Sequence, residues 1–411
     1  MSRVVWVFLA LTLTAAAQSV PKDLHWAASW TASPMTSSEW QEQSYTEFRD
    51  VTLRQIVHLS SGGSYVRIRF SNVFGDGPLR ITSAHIAGAV SASASAIETA
   101  TDTSLSFDGE PGVMIPQGAA WLSDPVKFEA APGANLTVSF HIDHPAYPGT
   151  YHDDANQTMY VVHGDQVAAP QLHDAATMDH WYWLTGVEVG TPAQDRCIVA
   201  FGDSITDGWR SDINGNNRWP DDLAARLRSN PATGSVCVIN EGISGNRILM
   251  NGAGPSALAR FDRDVVSQPG VGYVIVLEGI NDLGNLAGQG HVAAADLHFL
   301  VQELINADRQ MVARARERGI EAIGATLTPV AGSDYSANQA AAFDAARQEL
   351  NAWIRTPGNF DKVVDFDRAT RDPSDPARFL PAYDSGDHLH PSPAGYQAMA
   401  NAIPLEWFES K

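Results

Sequence analysis

The apolar residues of this chain change period near its middle, and few architectures accommodate such a change. From about residue 25 to residue 189 they recur in twos. In SYVRIRFSN, Val66, Ile68 and Phe70 alternate with Arg67 and Arg69, the pattern of a strand with one buried face. DVTLRQIVHLS precedes that run across the turn SGG. PVKFEA, NLTVSFHID and TMYVVHG continue the pattern between Gly, Pro and Asn residues. Many short strands at this spacing predict an antiparallel β-sandwich of jelly-roll type.

After residue 196 the grammar is different. CIVAFGDS, SVCVINEG, GYVIVLEG, IEAIGATL and KVVDFD carry apolar runs with no alternation. Helical patterns lie among them, and in the longest Leu297, Leu300, Val301, Leu304 and Ile305 recur at three- and four-residue spacing. Strands that are apolar throughout, alternating with helices, predict an α/β domain with a parallel sheet covered on both faces. SPAGYQAMANAIPLEWF supplies a closing helix. The expected organisation is a β-sandwich over residues 25–189 and an α/β domain over residues 196–411, joined by the connector VEVGTPAQDR. That connector is short and not rich in Pro or Gly/Ser. It predicts a fixed interface, with the sandwich shaping one wall of any cleft between the halves.

A length of 411 residues suits two or three domains. The formal charge of −20 excludes a general attraction to nucleic acid or anionic lipid. At the N-terminus Arg3 precedes an apolar stretch that ends in Ala15, Ala16 and Ala17, the layout of a secretory signal peptide over residues 1–17, cleaved after Ala17. The run is short for a membrane span of about 20 residues, and no later segment is long and apolar enough to be one. A secreted or periplasmic protein without a membrane span is expected. Cys197 and Cys237 are the two cysteines. An exported chain could pair them, but they fall on neighbouring parallel strands, where disulfide geometry is often poor, so free buried thiols are the favoured of the two expectations. Two cysteines do not make a four-ligand zinc site. Asn135 and Asn156 lie in N-x-S/T sequons, which matter only in a host that glycosylates.

In an open parallel sheet ligands bind beyond the carboxyl ends of the strands, and polar residues cluster there in this chain. Gly202, Asp203 and Ser204 follow the first strand, Gly242 and Asn246 the second, and Asn281 and Asp282 the third, while Asp387 and His390 lie beyond the fifth. Each has a plain reading as a cap, a turn or a surface pair. Together they are the parts of a nucleophilic site. A serine hydroxyl needs a base to remove its proton, and His390 can be that base. Asp387, three residues earlier, can orient the imidazole and stabilise its cation. A tetrahedral oxyanion needs preorganised donors, which the N–H groups of Ser204 and Gly242 and the amide of Asn281 would supply. Asp203 is expected to tie down the turn.

These blocks, GDS at 202–204, Gly242, GIND at 279–282 and DHLH at 387–390, resemble those of the GDSL or SGNH esterases and lipases. The resemblance covers roughly residues 196–411. It implies a flavodoxin-like three-layer fold, ester hydrolysis through an acyl-enzyme, catalysis by Ser204, Asp387 and His390, and no metal or other cofactor. His388 stands where Gly is common. The two-domain layout, with WAASWTASP and RQIVHLSSGGSYVRIRFSN, is similar to a subgroup associated with arylesterases and with esterases of acetylated plant polysaccharides. The expected function is therefore a secreted serine esterase acting on short acyl esters, with acetyl on a carbohydrate as the favoured substrate. The rivals are a broad arylesterase or lipase and, from another class, a carbohydrate-binding protein whose hydrolase half is inactive. Nothing in the pattern specifies an oligomer.

Three other features are read conservatively. Trp181, Tyr182 and Trp183 are expected to pack in a core, with Tyr182 facing opposite to the two tryptophans. His388 and His390 belong to the site block and are not read as metal ligands. The polar stretch TDGWRSDINGNNRW is either part of the cleft or a solvated loop.

Overall fold

The computed structural model describes residues 21, 23–36, 48–146, 149–192, 196–288, 292–336 and 339–409. The expected signal peptide, residues 1–17, lies outside the described residues.

The first half is built on two large antiparallel sheets, with two two-stranded antiparallel pairs beside them. One runs in the order His25–Thr31, Leu184–Thr191, Gly63–Ser71 and Ala120–Leu122, with Val126–Ala130 also paired to Gly63–Ser71. The other runs Ala176–Met178, Met159–His163, Val51–His58, Asn135–Ile142, Ser83–Gly88 and Thr103–Ser104. The period of two explains how they pack. Val66, Ile68 and Phe70 are fully buried in a cluster with Leu53, Val138 and Phe140 of the other sheet. Phe70 and Phe140 meet edge to face across that gap, with ring centroids 5.2 Å apart. The alternate residues Arg67 and Arg69 instead pair with Glu188 on the neighbouring strand.

Glu188 also corrects the expected connector. Val187–Thr191 belongs to an eight-residue strand, Leu184–Thr191, inside the first sheet. Val187 and Val189 face the core, while Glu188 answers the two arginines. The alternation in VEVG was a strand signal. The described strand ends at Thr191, and the next begins at Cys197.

The second half is α/β. Its parallel sheet has the order Cys237–Gly242, Cys197–Gly202, Val271–Leu277, Glu321–Ala325, Lys362–Val364. Helices Trp219–Ser229, Ala294–Glu317, Ala340–Arg355 and Pro393–Asn401 bury their apolar stripes in the same cluster as the strands. In the long helix Leu297, Val301, Leu304 and Ile305 are buried, as their spacing predicts.

The free-thiol expectation is overturned. Cys197 and Cys237 form a disulfide, with Cα atoms 4.5 Å apart. The two residues are direct partners in the ladder, which brings their Cα atoms within bridging range.

The halves are docked by hydrogen bonds. Ala28 donates its N–H to the Pro269 carbonyl at 3.1 Å, and Val238 donates its N–H to Ser60 Oγ at 3.2 Å. Trp181, Tyr182 and Trp183 are buried, as expected of core residues. Trp183 has φ of 55°, which ends the regular alternation there.

Candidate active site

The first parallel strand ends at Gly202, and a single helical turn, Ser204–Asp207, follows at once. Asp203 caps it by accepting the N–H of Ile205 on Oδ1 at 3.0 Å. Ser204 is therefore the first helical residue, and its own N–H has no intrahelical acceptor. Its hydroxyl lies 2.8 Å from Nε2 of His390. On the other side of the ring, Nδ1 of His390 lies 2.9 Å from Oδ2 of Asp387. Asp387 Oδ1 accepts the N–H groups of Leu389 at 3.0 Å and His390 at 2.9 Å. Partial burial works to raise the Asp387 pKa. The hydrogen bonds and charge of His390 outweigh it and hold the carboxyl well below the usual carboxylate range. Asp387 is thus an anion wherever the imidazole must be oriented.

Asn281 lies at the start of helix Ile280–Gly288, just past the third strand. One amide hydrogen is donated to the Asn246 carbonyl at 2.9 Å, and Oδ1 accepts the hydroxyl of Tyr335 at 2.7 Å. An amide nitrogen carries two hydrogens, so a second remains to be offered. Asp282 does structural work beside it. Its carboxylate accepts the N–H groups of Ile248 at 2.8 Å and Leu249 at 3.1 Å, which ties the loop after the second strand to this helix.

Gly242 has a different task from the one its position in the sequence suggests. Its N–H is donated to Oδ1 of Asn240 at 2.9 Å and is not free for an oxyanion. What requires glycine there is close approach: a Cβ would stand 2.3 Å from the backbone nitrogen of Asp207. Three residues on, the N–H of Gly245 has no hydrogen-bond partner among the described residues.

Beneath the strand ends lies Arg260, which sequence reasoning missed. It is fully buried, and its guanidinium carbon stands 4.1 Å from the centroid of the Phe201 ring. It donates to the carbonyls of Gly202 at 2.9 Å and Glu241 at 2.7 Å, to Oε1 of Glu278 at 3.2 Å and to Oδ1 of Asn246 at 2.9 Å. One side chain therefore joins the ends of three strands to the following loop. A fifth acceptor, Ser33 Oγ at 3.0 Å, belongs to the first half.

Residues 200–398 match the family description GDSL-like Lipase/Acylhydrolase. This part of the chain belongs to that family. It is the domain of a carboxylic ester hydrolase. No curated protein matches the chain. Among solved structures, a GDSL-like lipase from Bacteroides thetaiotaomicron is 21% identical with a TM-score of 0.37, over 51% of this chain and 86% of that one. A carbohydrate acetylesterase from Sinorhizobium meliloti is 17% identical with a TM-score of 0.37, over 51% of this chain and 96% of that one.

Two further details shape the site of this GDSL-like domain. His388 has φ of 61°, in the left-handed region where glycine is favoured. Asp384 holds it there, accepting the N–H groups of Gly386 at 2.8 Å and His388 at 3.1 Å and pairing with the His388 ring. The stretch after the nucleophile divides in two. Trp209 and Arg210 stay at the site: the Trp209 ring centroid is 6.5 Å from that of His390, and Arg210 donates to Asp387 at 3.3 Å. Asn214 docks instead on the first half, through Asn156, Gln157 and Thr158. Among the described residues no cluster of His, Cys, Asp and Glu could hold a metal ion, and no helix is long and apolar enough to cross a membrane.

Proposed function

We propose that the protein is an exported serine esterase that cleaves short acyl esters through an acyl-enzyme, with acetyl groups on a carbohydrate as the favoured substrate. The observation that carries the reading is the continuous hydrogen-bonded relay from Ser204 Oγ through His390 to Asp387, at 2.8 and 2.9 Å. Ser204 Oγ attacks the ester carbonyl as its proton passes to Nε2 of His390. Asp387 holds the resulting imidazolium. The carbonyl oxygen becomes an oxyanion facing the Ser204 N–H and the second amide hydrogen of Asn281. Gly245, with its unused N–H, replaces Gly242 as the third donor. His390 then gives its proton to the leaving alkoxide, and water repeats the sequence on the acyl-enzyme to release the acid and restore Ser204.

A leaving group protonated by His390 must stand beside that ring. Trp209 is 36% exposed there, a flat apolar face suited to a sugar ring. The disulfide fits an oxidising compartment. The strand order, 2-1-3-4-5 in chain sequence, supports a flavodoxin-like reading of the second half. The paired antiparallel sheets support a sandwich domain in the first.

The test is acetate release from a panel of acetylated glycans, beside aryl esters of increasing chain length, by the wild type and Ser204→Ala. The reading expects acetylated glycans to be preferred and the variant to lose about 10⁴-fold or more of the turnover while remaining folded. A preference for long acyl chains would make the protein a lipase or broad arylesterase. A wild type that binds glycans and releases no acid would make it a binding protein.

A further inference from the structure

His152 comes from the first half, on the two-residue strand Tyr151–His152, which pairs with Trp181–Tyr182. It is buried, yet both ring nitrogens are engaged. Nδ1 faces the Ser33 carbonyl at 2.9 Å, and Nε2 faces Oδ1 of Asp207 at 3.0 Å. A carbonyl and a carboxylate only accept, so both nitrogens must donate, and His152 is an imidazolium against Asp207. Asp207 is the last residue of the turn that begins at Ser204. Its N–H donates to the Asp203 carbonyl at 2.8 Å, and its backbone is the group that Gly242 leaves room for. Its second oxygen, Oδ2, accepts both the N–H and the hydroxyl of Ser244, each at 2.9 Å. Ser244 directly precedes Gly245. One carboxylate therefore holds the nucleophile's turn and the loop carrying the candidate oxyanion N–H.

The segment after His152 is held against the same loops. Asp154 and Asn156 both have φ of 48°, unusual for residues with a side chain. Asn156 donates to the Gly208 carbonyl at 3.2 Å and accepts the Asn214 N–H at 2.9 Å.

We propose that His152 is a positioning residue for acyl transfer. Reaching across from the first half, it fixes Asp207, and through Asp207 it sets Ser204 and the Ser244–Gly245 loop at the spacing the tetrahedral intermediate requires. The proposal rests on Ser204 being the nucleophile. It gives the first half a part in turnover on any ester, however small, which a merely adjoining module would not have.

The test uses the full-length protein with His152→Phe, which keeps the ring volume, and His152→Gln, which keeps an amide donor. On a small aryl acetate, kcat of His152→Phe should fall by roughly 10- to 100-fold, as expected for a displaced catalytic group. KM should stay within about twofold, because no atom that binds substrate has been removed. The rate at which an organophosphonate labels Ser204 should fall in parallel, and Gln should restore part of both. A folded His152→Phe protein with wild-type kcat and labelling rate overturns the proposal, as does a change confined to KM. If the Phe variant does not fold, Asp207→Asn removes the same charge pairing with little change of shape, and unchanged turnover in it is equally fatal. Activity surviving in Ser204→Ala would instead overturn the nucleophile assignment, whatever the His152 variants do.

Discussion

Cys197 and Cys237 face each other in register on adjacent parallel strands and are covalently joined, 40 residues apart in the chain. The bridge lies at the start of the strand whose other end presents Ser204. Closing a loop of that length in the unfolded chain is worth roughly 4 kcal/mol in the chain-entropy model. Replacing both cysteines by Ala should lower unfolding stability by about 2–4 kcal/mol while leaving kcat close to wild type. Urea unfolding with and without reductant checks this. A reductant-insensitive midpoint would show that the bridge does not stabilise the fold.

Asn281 and Tyr335 should behave as a graded pair. Asn281→Ala should cost on the order of 10²–10³ in kcat with a smaller change in KM, because an oxyanion donor acts chiefly in the transition state. Tyr335→Phe removes only the hydroxyl that orients the amide, so its loss should be smaller, about tenfold. Steady-state kinetics on one aryl acetate compares them. A Tyr335→Phe loss exceeding that of Asn281→Ala would reverse the order of roles.

Asp308 makes stability fall as pH rises. It is buried on helix Ala294–Glu317, and its carboxyl is pushed up to about 8, by burial first and then by the charge of Asp282. Between about pH 4 and 8 the folded state keeps a proton that the unfolded chain has released, so the contribution is complete below that window and lost through it. Asp308→Asn cannot ionise. Its stability relative to the wild type should therefore climb with pH, at about 1.4 kcal/mol per unit inside the window. Denaturation midpoints of both proteins at pH 4, 6, 8 and 9 measure the slope, and parallel curves would contradict the raised pKa.

Arg260 is a buried cation among Glu278, Asp264 and the strand-end carbonyls. Arg260→Met should destabilise the protein by about 3–5 kcal/mol, since it leaves buried acceptors and acids without their partner. Arg260→Lys should recover only part, because an ammonium lacks the planar fork that reaches several acceptors at once. Chemical denaturation of the three proteins provides the comparison. Equal stability of the Lys variant and the wild type would reduce the role of Arg260 to simple charge.

The sequence by itself determined the two kinds of sheet and the places where chemistry gathers. Period two in Val66, Ile68 and Phe70, and unbroken apolar runs such as CIVAF, are local consequences of having one or two buried faces. A parallel sheet puts the residues after its strands on one edge, so Ser204, Asn281, Asp387 and His390 could be grouped before any distance was known. Only the tertiary structure decided the rest. The Gly242 N–H is taken by the side chain of Asn240 two residues earlier on the same strand, a contact that no periodicity encodes. The disulfide depends on register, and a single-residue slip would have parted the cysteines. The strand Val187–Thr191 looked like a connector because Glu188 becomes a buried residue only when Arg67 and Arg69 lie beside it. His152 and Arg260 remained invisible for the same reason. His152 meets Asp207 across 55 residues and Arg260 meets Ser33 across 227, and both hydrogen bonds exist only once the two halves have docked.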